Sequence, residues 1–431
     1  MAQTSARLLY LHPHQAANDP VTLHEGPVTV NHARGSAMAD GALVLRWLPS
    51  TGLRLEVDGL PVGAPQPGER MQADVAGSTA DALVSSVQHV IHGGSASARI
   101  RAGVRIFETG TGDDVASIGF QIVNFPDFFT PGSGTSVELQ FGDWNVMLEA
   151  VPDSQAFFKS LDGTGGYGFT HLGQLRRRDC SVFSASDAEP VFESLTAFLS
   201  FARGAACNAP IRWGVNALGT VIWQRWGSPV VDSWKTPDNW FDEHHGGLLA
   251  QVIPAFVGAY EDPDLGPPLK LALHWYERSN MRAGGMEGAI ILGLTALDLL
   301  GALVVVDRAR VMGAGKYDDL KAVGKLTKLL ETMKVPVSIP AKLTNLAQFA
   351  AKNNWPDAAT TLAEVRHGYV HPNRRRRAIV LAASNLATFE AWQLSVWYQE
   401  LALLYFLNHQ GEYRNRLTAE WLGEVEKVPW A

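Results

Sequence analysis

The sequence is short of cysteine, of targeting segments and of overall positive charge, and each shortage removes a class of protein. Only Cys180 and Cys207 occur in 431 residues, too few for a disulfide framework or a multi-cysteine zinc site, which fits a reducing compartment. The stretch from Met1 to Leu11 has neither the basic start, the apolar run nor the cleavage pattern of a signal peptide. A cytoplasmic location is therefore the expectation. A formal net charge of −7 offers no basic field for nonspecific capture of nucleic acid, so any polyanion site must be local. One run only, residues 288–306, is long and apolar enough to raise a membrane question. Asp298 lies in its middle, where a bilayer centre would cost about 2.5–3.5 kcal/mol. The expectation is a helix buried in a bundle, with no membrane partner.

Several catalytic signatures are missing too. There is no Gly-x-Ser-x-Gly elbow. The glycine-rich Gly163-Thr164-Gly165-Gly166-Tyr167-Gly168 lacks the Lys-Ser/Thr ending of a phosphate loop. Asp242-Glu243-His244-His245 and His12-Pro13-His14 lack a metal-ligand spacing, so neither a metal nor another cofactor is expected. Arg176-Arg177-Arg178 reads as solvated surface.

What is present changes grammar along the chain. A length of 431 residues implies two or three domains. Up to about residue 150, short alternating or β-branched runs (Ala42 to Trp47, Leu53 to Val57, Ala98 to Phe107, Ala116 to Val123, Ser136 to Phe141) are separated by turn residues, which predicts an antiparallel sandwich or barrel. Residues 151–260 mix a helix around Asp187 to Ala202 with strands at Ile211 to Val215 and Thr220 to Gln224, and carry Trp213, Trp223, Trp226, Trp234 and Trp240. These tryptophans read as a packed junction.

After the turn-rich Glu261 to Pro268, residues 269–431 read as a helix bundle. Helices are predicted at Leu269 to Asn280, Glu287 to Val311 and Tyr317 to Met333. Pro340 and Pro356 are expected to open two more, and Ala378 to Asn408 a last one. The fold class is α+β multidomain, β-rich first and all-α last.

The helix from Pro356 runs into Arg366-His367-Gly368-Tyr369-Val370-His371-Pro372. Gly368 weakens a helix by about 1 kcal/mol relative to alanine, and Pro372 pushes His371 out of the α region. Arg366 and His371 are therefore expected to bracket a helix break. In an unbroken helix five positions would turn them apart by about 140°; a break can bring them to one surface. From spacing alone, the same residues serve equally as cations favourable at a helix C-terminus.

The segment resembles the Arg-x4-6-His signature of the HEPN superfamily, all-helical domains that include metal-independent endoribonucleases. His367 occupies the position after the arginine, where that family places a polar residue, and His371-Pro372 also fits. Leu273 to Asn280, followed by Ala296-Leu297-Asp298-Leu299-Leu300, resembles the first two helices of large bacterial HEPN proteins that act against phage, with Asp298 where glutamate is more usual.

The resemblance implies RNA transesterification by the substrate's own 2′-hydroxyl. His371 would move a proton, Arg366 would hold the phosphate oxygens, and His367 would be a second proton carrier or an orienting group. It implies RNA as substrate, a homodimer with two motifs in one cleft, and a toxin-like abortive-infection role under a phage-derived or nucleotide trigger. Tyr369 is expected either to stack on a base or to fill the bundle seam. Asn373, Arg374 and Arg375 open a run, continued by Arg376 and Arg377, that could track an RNA backbone. Asp298 is expected to support the site. The rival is a catalytically silent HEPN module for dimerisation or nucleotide binding, with a β half that binds a protein or sugar.

Overall fold

The computed structural model describes residues 8–13, 16–61, 63–92, 95–235, 237–371 and 373–431. His14, Pro372 and residues 1–7 lie outside them. The chain divides into two compact units: Met1–Asp127 with Glu138–Thr196 and Cys207–Lys235, and Phe128–Val137 with Ala197–Ala206 and Thr236–Ala431. The coarse layout is a β-rich first half followed by a helical second half.

In the first unit, β1 (Val21–His32), β2 (Gly35–Arg46), β3 (Gly52–Pro61), β4 (Arg70–Val75), β5 (Ser78–His92) and β6 (Ser95–Val104) form a closed barrel in the order β1-β2-β3-β6-β5-β4. The period-two pattern decides which residues fill it. On β3, Leu53, Leu55 and Val57 are buried, while Glu56 between them accepts two bonds from Arg46 at 2.7 and 3.1 Å. Closure comes from β1 pairing antiparallel with β4, Val28 opposite Val75.

A seven-stranded sheet follows: β7 (Ile106–Gly110), β8 (Ser117–Val123), β9 (Ser136–Phe141), β10 (Trp144–Ala150), β11 (Phe169–Arg177), β12 (Asn208–Val215) and β13 (Val221–Gly227), ordered β7-β13-β12-β8-β11-β10-β9. It is accompanied by α1 (Ser154–Thr164) and α2 (Glu189–Arg203). The expected boundary near residue 150 falls inside this sheet, because β10 pairs with β11 after the chain has passed through α1. Gly119 on β8 faces Trp213 on β12, and a Cβ there would stand 2.3 Å from the indole. A glycine is the residue that lets the large ring lie across its neighbour. The tryptophans are packed as expected, though not as one junction. Trp213 and Trp226 join the core that also fills the barrel, whereas Trp240 stacks on Phe201 in the second unit, centroids 5.0 Å apart.

The second unit holds α3 (Gly247–Glu261), α4 (Gly266–Asn280), α5 (Gly285–Ala302), α6 (Ala314–Asp318), α7 (Ala322–Thr332), α8 (Thr344–Lys352), α9 (Ala358–Val370), α10 (Arg374–Leu381) and α11 (Asn385–Phe406), then a short pair, β14 (Glu412–Tyr413) and β15 (Glu426–Lys427). The apolar run is α5 continued by a π-helical turn, Leu303–Arg308. It packs on α4, α7, α9 and α11 as a core helix.

Four helical expectations change. The helix expected over Tyr317 to Met333 is two, α6 and α7. The helix expected from Ala378 also divides, at Ser384, whose hydroxyl accepts from Ala387 N at 3.1 Å and caps α11. Pro340 does not start α8; Glu390 caps it from α11, accepting from Leu346 N at 2.7 Å. Helix α3, unforeseen, extends the helical region back before Glu261.

Candidate functional site

Helix α9 begins with Asp357, whose side chain accepts from Thr360 N at 2.7 Å. It then buries Ala359, Leu362, Ala363 and Val365. It does not break at Gly368. That glycine is buried inside the helix, and a Cβ on it would meet Val380 Cγ2 of α10 at 2.2 Å. Close packing of α9 on α10, rather than helix termination, is what requires glycine here. The break falls one residue beyond Val370: His371 is extended (φ −99°, ψ 147°), and its N–H donates to His367 O at 3.0 Å.

Continuity changes which groups meet. His367 and His371 lie four residues apart, and their rings stand edge to face with centroids 5.1 Å apart. Arg366 turns instead to α5, its Nη1 3.5 Å from Asp298 Oδ2. His367 thus packs on His371 and shares a cavity wall with Arg366. Asp298, Arg366 and His367 line a cavity of about 20 Å³ whose other walls include Leu294, Leu297, Leu326 and Ala363, room for roughly one water molecule.

Burial raises the Asp298 carboxyl above its ordinary range, opposed by the charges of Arg366 and Lys325. Burial lowers the His367 imidazole; Glu364 opposes this, while His371, Arg376 and Arg366 add to it. At pH 7 its neutral, proton-accepting form is favoured.

The other expected residues are placed as follows. Tyr369 is half-buried, its phenol raised by burial, hydrogen-bonded to Thr388 and near Glu287. Asn373 caps α10, its Oδ1 accepting from Arg375 N at 3.0 Å and Arg376 N at 3.1 Å. Arg374 and Arg375 are exposed in the first turn of α10, where cations oppose the helix dipole.

One group that sequence reasoning did not single out belongs here. Glu364 lies 3.9 Å from His367 Nδ1 and 3.4 Å from Arg376 Nε. The i, i+3 spacing of Glu364 and His367 was the available signal.

Away from this helix end, the acidic-histidine cluster is tied together by hydrogen bonds. Buried Asp242 accepts from His244 N (2.8 Å) and Gly423 N (3.0 Å) and lies 3.1 Å from His245 Nδ1. His12 lies 3.4 Å from Gln224, and Arg177 covers the Trp144 ring at 3.9 Å.

A helical unit with an arginine, an acidic partner and two imidazoles at one helix end is the class that fold and geometry define. Residues 262–427 match the YopA C-terminal domain and residues 110–237 the YopA central domain. The chain is 29% identical over 298 residues to the SPbeta prophage-derived uncharacterized protein YopA of Bacillus subtilis (strain 168). That similarity covers 68% of this chain and 65% of the prophage protein, so the chain spans less than two thirds of that relative's length. No solved structure matches.

Proposed function

We propose that the helical unit is a HEPN-type endoribonuclease that cleaves RNA by 2′-hydroxyl attack, without a metal ion, in a toxin-like antiphage role. The observation that carries the proposal is the arrangement at the end of α9: Arg366 held by Asp298, and His367 beside His371 with rings 5.1 Å apart. Two imidazoles at that spacing can serve the two proton transfers of transesterification, one removing the 2′-hydroxyl proton and the other supplying the 5′-oxygen. Arg366 would hold the phosphate oxygens as charge builds, and Asp298 fixes its direction.

The exposed arginines of α10 follow at once and supply phosphate contacts local to the site, as a chain of net charge −7 requires. A homodimer would place two such helix ends in one cleft. The β-rich half would sense the trigger.

The test is incubation of the purified full chain with RNA in the presence of a chelator. Fragments with 2′,3′-cyclic phosphate ends are expected, and H371A abolishes them. Cleavage that needs the chelated metal, or H371A as active as the wild type, overturns the proposal. The engagement of Arg366 by Asp298 favours one second reading, a catalytically silent module. In that case expression is harmless to the host, and R366A relieves nothing.

A further inference from the structure

Glu364 sits one turn before His367 on α9 and faces α10. Its Oε1 is 3.9 Å from His367 Nδ1, beyond hydrogen-bond reach, and its Oε2 is 3.4 Å from Arg376 Nε. His367 Nδ1 is buried and has no hydrogen-bond partner among the described residues, whereas buried ring nitrogens normally find one. A carboxylate thus stands just short of an unsatisfied imidazole nitrogen, beside a half-exposed arginine of the next helix. Arg376 lies in the first turn of α10, where the dipole disfavours a cation, and Glu364 is the acidic partner of its side chain.

We infer that Glu364 is a positioning residue shared between His367 and Arg376: when a backbone phosphate takes Arg376, the carboxylate closes on His367 Nδ1. That contact fixes the Nδ1–H tautomer and leaves Nε2 as the proton acceptor. Substrate capture by the arginine run would then make the base more basic at the moment it is needed. The identity of the ligand rests on the proposed nuclease function; the coupling itself does not require turnover.

The groups that bear on His367 are Glu364, Arg366 and His371 from α9 and its end, Arg376 from α10, and Asp298 of α5 across the cavity. Helix α7 contributes Ala322 and Leu326 to the cavity wall, with Lys325 acting on Asp298. Of these, Glu364 favours the protonated ring, while Arg376, Arg366 and His371 oppose it. Removing Arg376 must therefore raise the titration midpoint of His367, and neutralising Glu364 must lower it.

The experiment is an NMR titration of the full chain with ¹³C-labelled histidine, the His367 signal being assigned by its loss in H367Q. R376A is expected to raise the His367 midpoint by about half a pH unit, R376K to leave it at the wild-type value, and E364Q to lower it. A short DNA oligonucleotide, which lacks the attacking hydroxyl, is expected to raise the midpoint in the wild type but not in E364Q. An unchanged midpoint in R376A, or an oligonucleotide effect that persists in E364Q, overturns the coupling. No cleavage enters these measurements, so a chain that cuts no RNA can still pass them and a ribonuclease can still fail them.

Discussion

Gly368→Ala is the sharpest perturbation of the candidate site that touches none of its charged groups. The added Cβ would stand 2.2 Å from Val380 Cγ2, 2.8 Å from Val380 Cβ and 3.2 Å from Arg376 O. Ordinary carbon contact is about 3.5–4.0 Å, so α10 must move off α9 by roughly 1.5 Å. Overpacking of this kind costs about 1–3 kcal/mol, and alanine returns about 1 kcal/mol of helix propensity. The net expectation is a loss of up to about 2 kcal/mol. Because the Arg376 carbonyl is itself in the contact, the same movement draws Arg376 away from Glu364, which it faces at 3.4 Å. G368A should therefore be less stable to urea and should also show a raised His367 midpoint. V380A removes the obstructing methyl groups, so G368A/V380A should lose less stability than the two single changes together. Strictly additive losses, or a G368A protein as stable as the wild type with an unaltered His367 titration, would refute the packing argument.

Two further expectations concern what holds the helical unit together. Arg416 and Glu400 are fully buried and joined at 2.7 and 3.0 Å, with Tyr276 donating to Glu400 at 3.0 Å and Arg416 donating to Asn280 Oδ1 at 2.9 Å. Burial disfavours the Arg416 charge, but Glu400 more than offsets this and raises the guanidinium pKa. R416A strands a buried carboxylate and should cost about 3–5 kcal/mol, read as a lower urea midpoint; R416M/E400L should recover most of it, and a loss below about 1 kcal/mol in R416A would count against the account. D357A removes the cap of α9, bonded at 2.7 Å, and should cost about 1 kcal/mol, seen as a lower melting temperature that D357S largely restores.

Much of the fold was legible because burial imposes its period on the sequence. Leu53, Leu55 and Val57 alternate with Arg54 and Glu56, and the chain there is a barrel strand. Closure of the barrel was not legible, since Val28 finds Val75 across 46 intervening positions of chain, and no local pattern encodes that pairing. Helix α3 was missed although Leu248, Leu249, Val252, Ile253, Phe256, Val257 and Tyr260 recur at helical spacing and are all buried. Pro254 and Gly258 masked the period, yet a buried apolar face outweighs one proline and one glycine. Ser384 had the opposite effect: a capping hydroxyl inside an apolar stretch divides one apparent helix into α10 and α11, a signal readable in advance.

At the candidate site the same glycine accounts for what was read and what was not. Taken as a helix breaker, Gly368 made Arg366 and His371 the natural couple and gave His367 the lesser part of a second proton carrier or an orienting group. Taken as the point where two helices touch, it keeps α9 intact, and helical geometry then assigns neighbours by threes and fours: Glu364 to His367, and His367 to His371. Arg366, facing α5, takes Asp298 as its partner across the bundle. Helical spacing alone could have supplied the first two contacts once the helix was known to continue. The glycine's role depends on Val380, twelve residues on and in another helix, so the correction could come only from tertiary structure. His367 is thereby the residue that connects the second histidine to Glu364 and, through it, to the arginine run, and the titration of its ring tests that coupling while RNA cleavage in a chelator tests the chemistry.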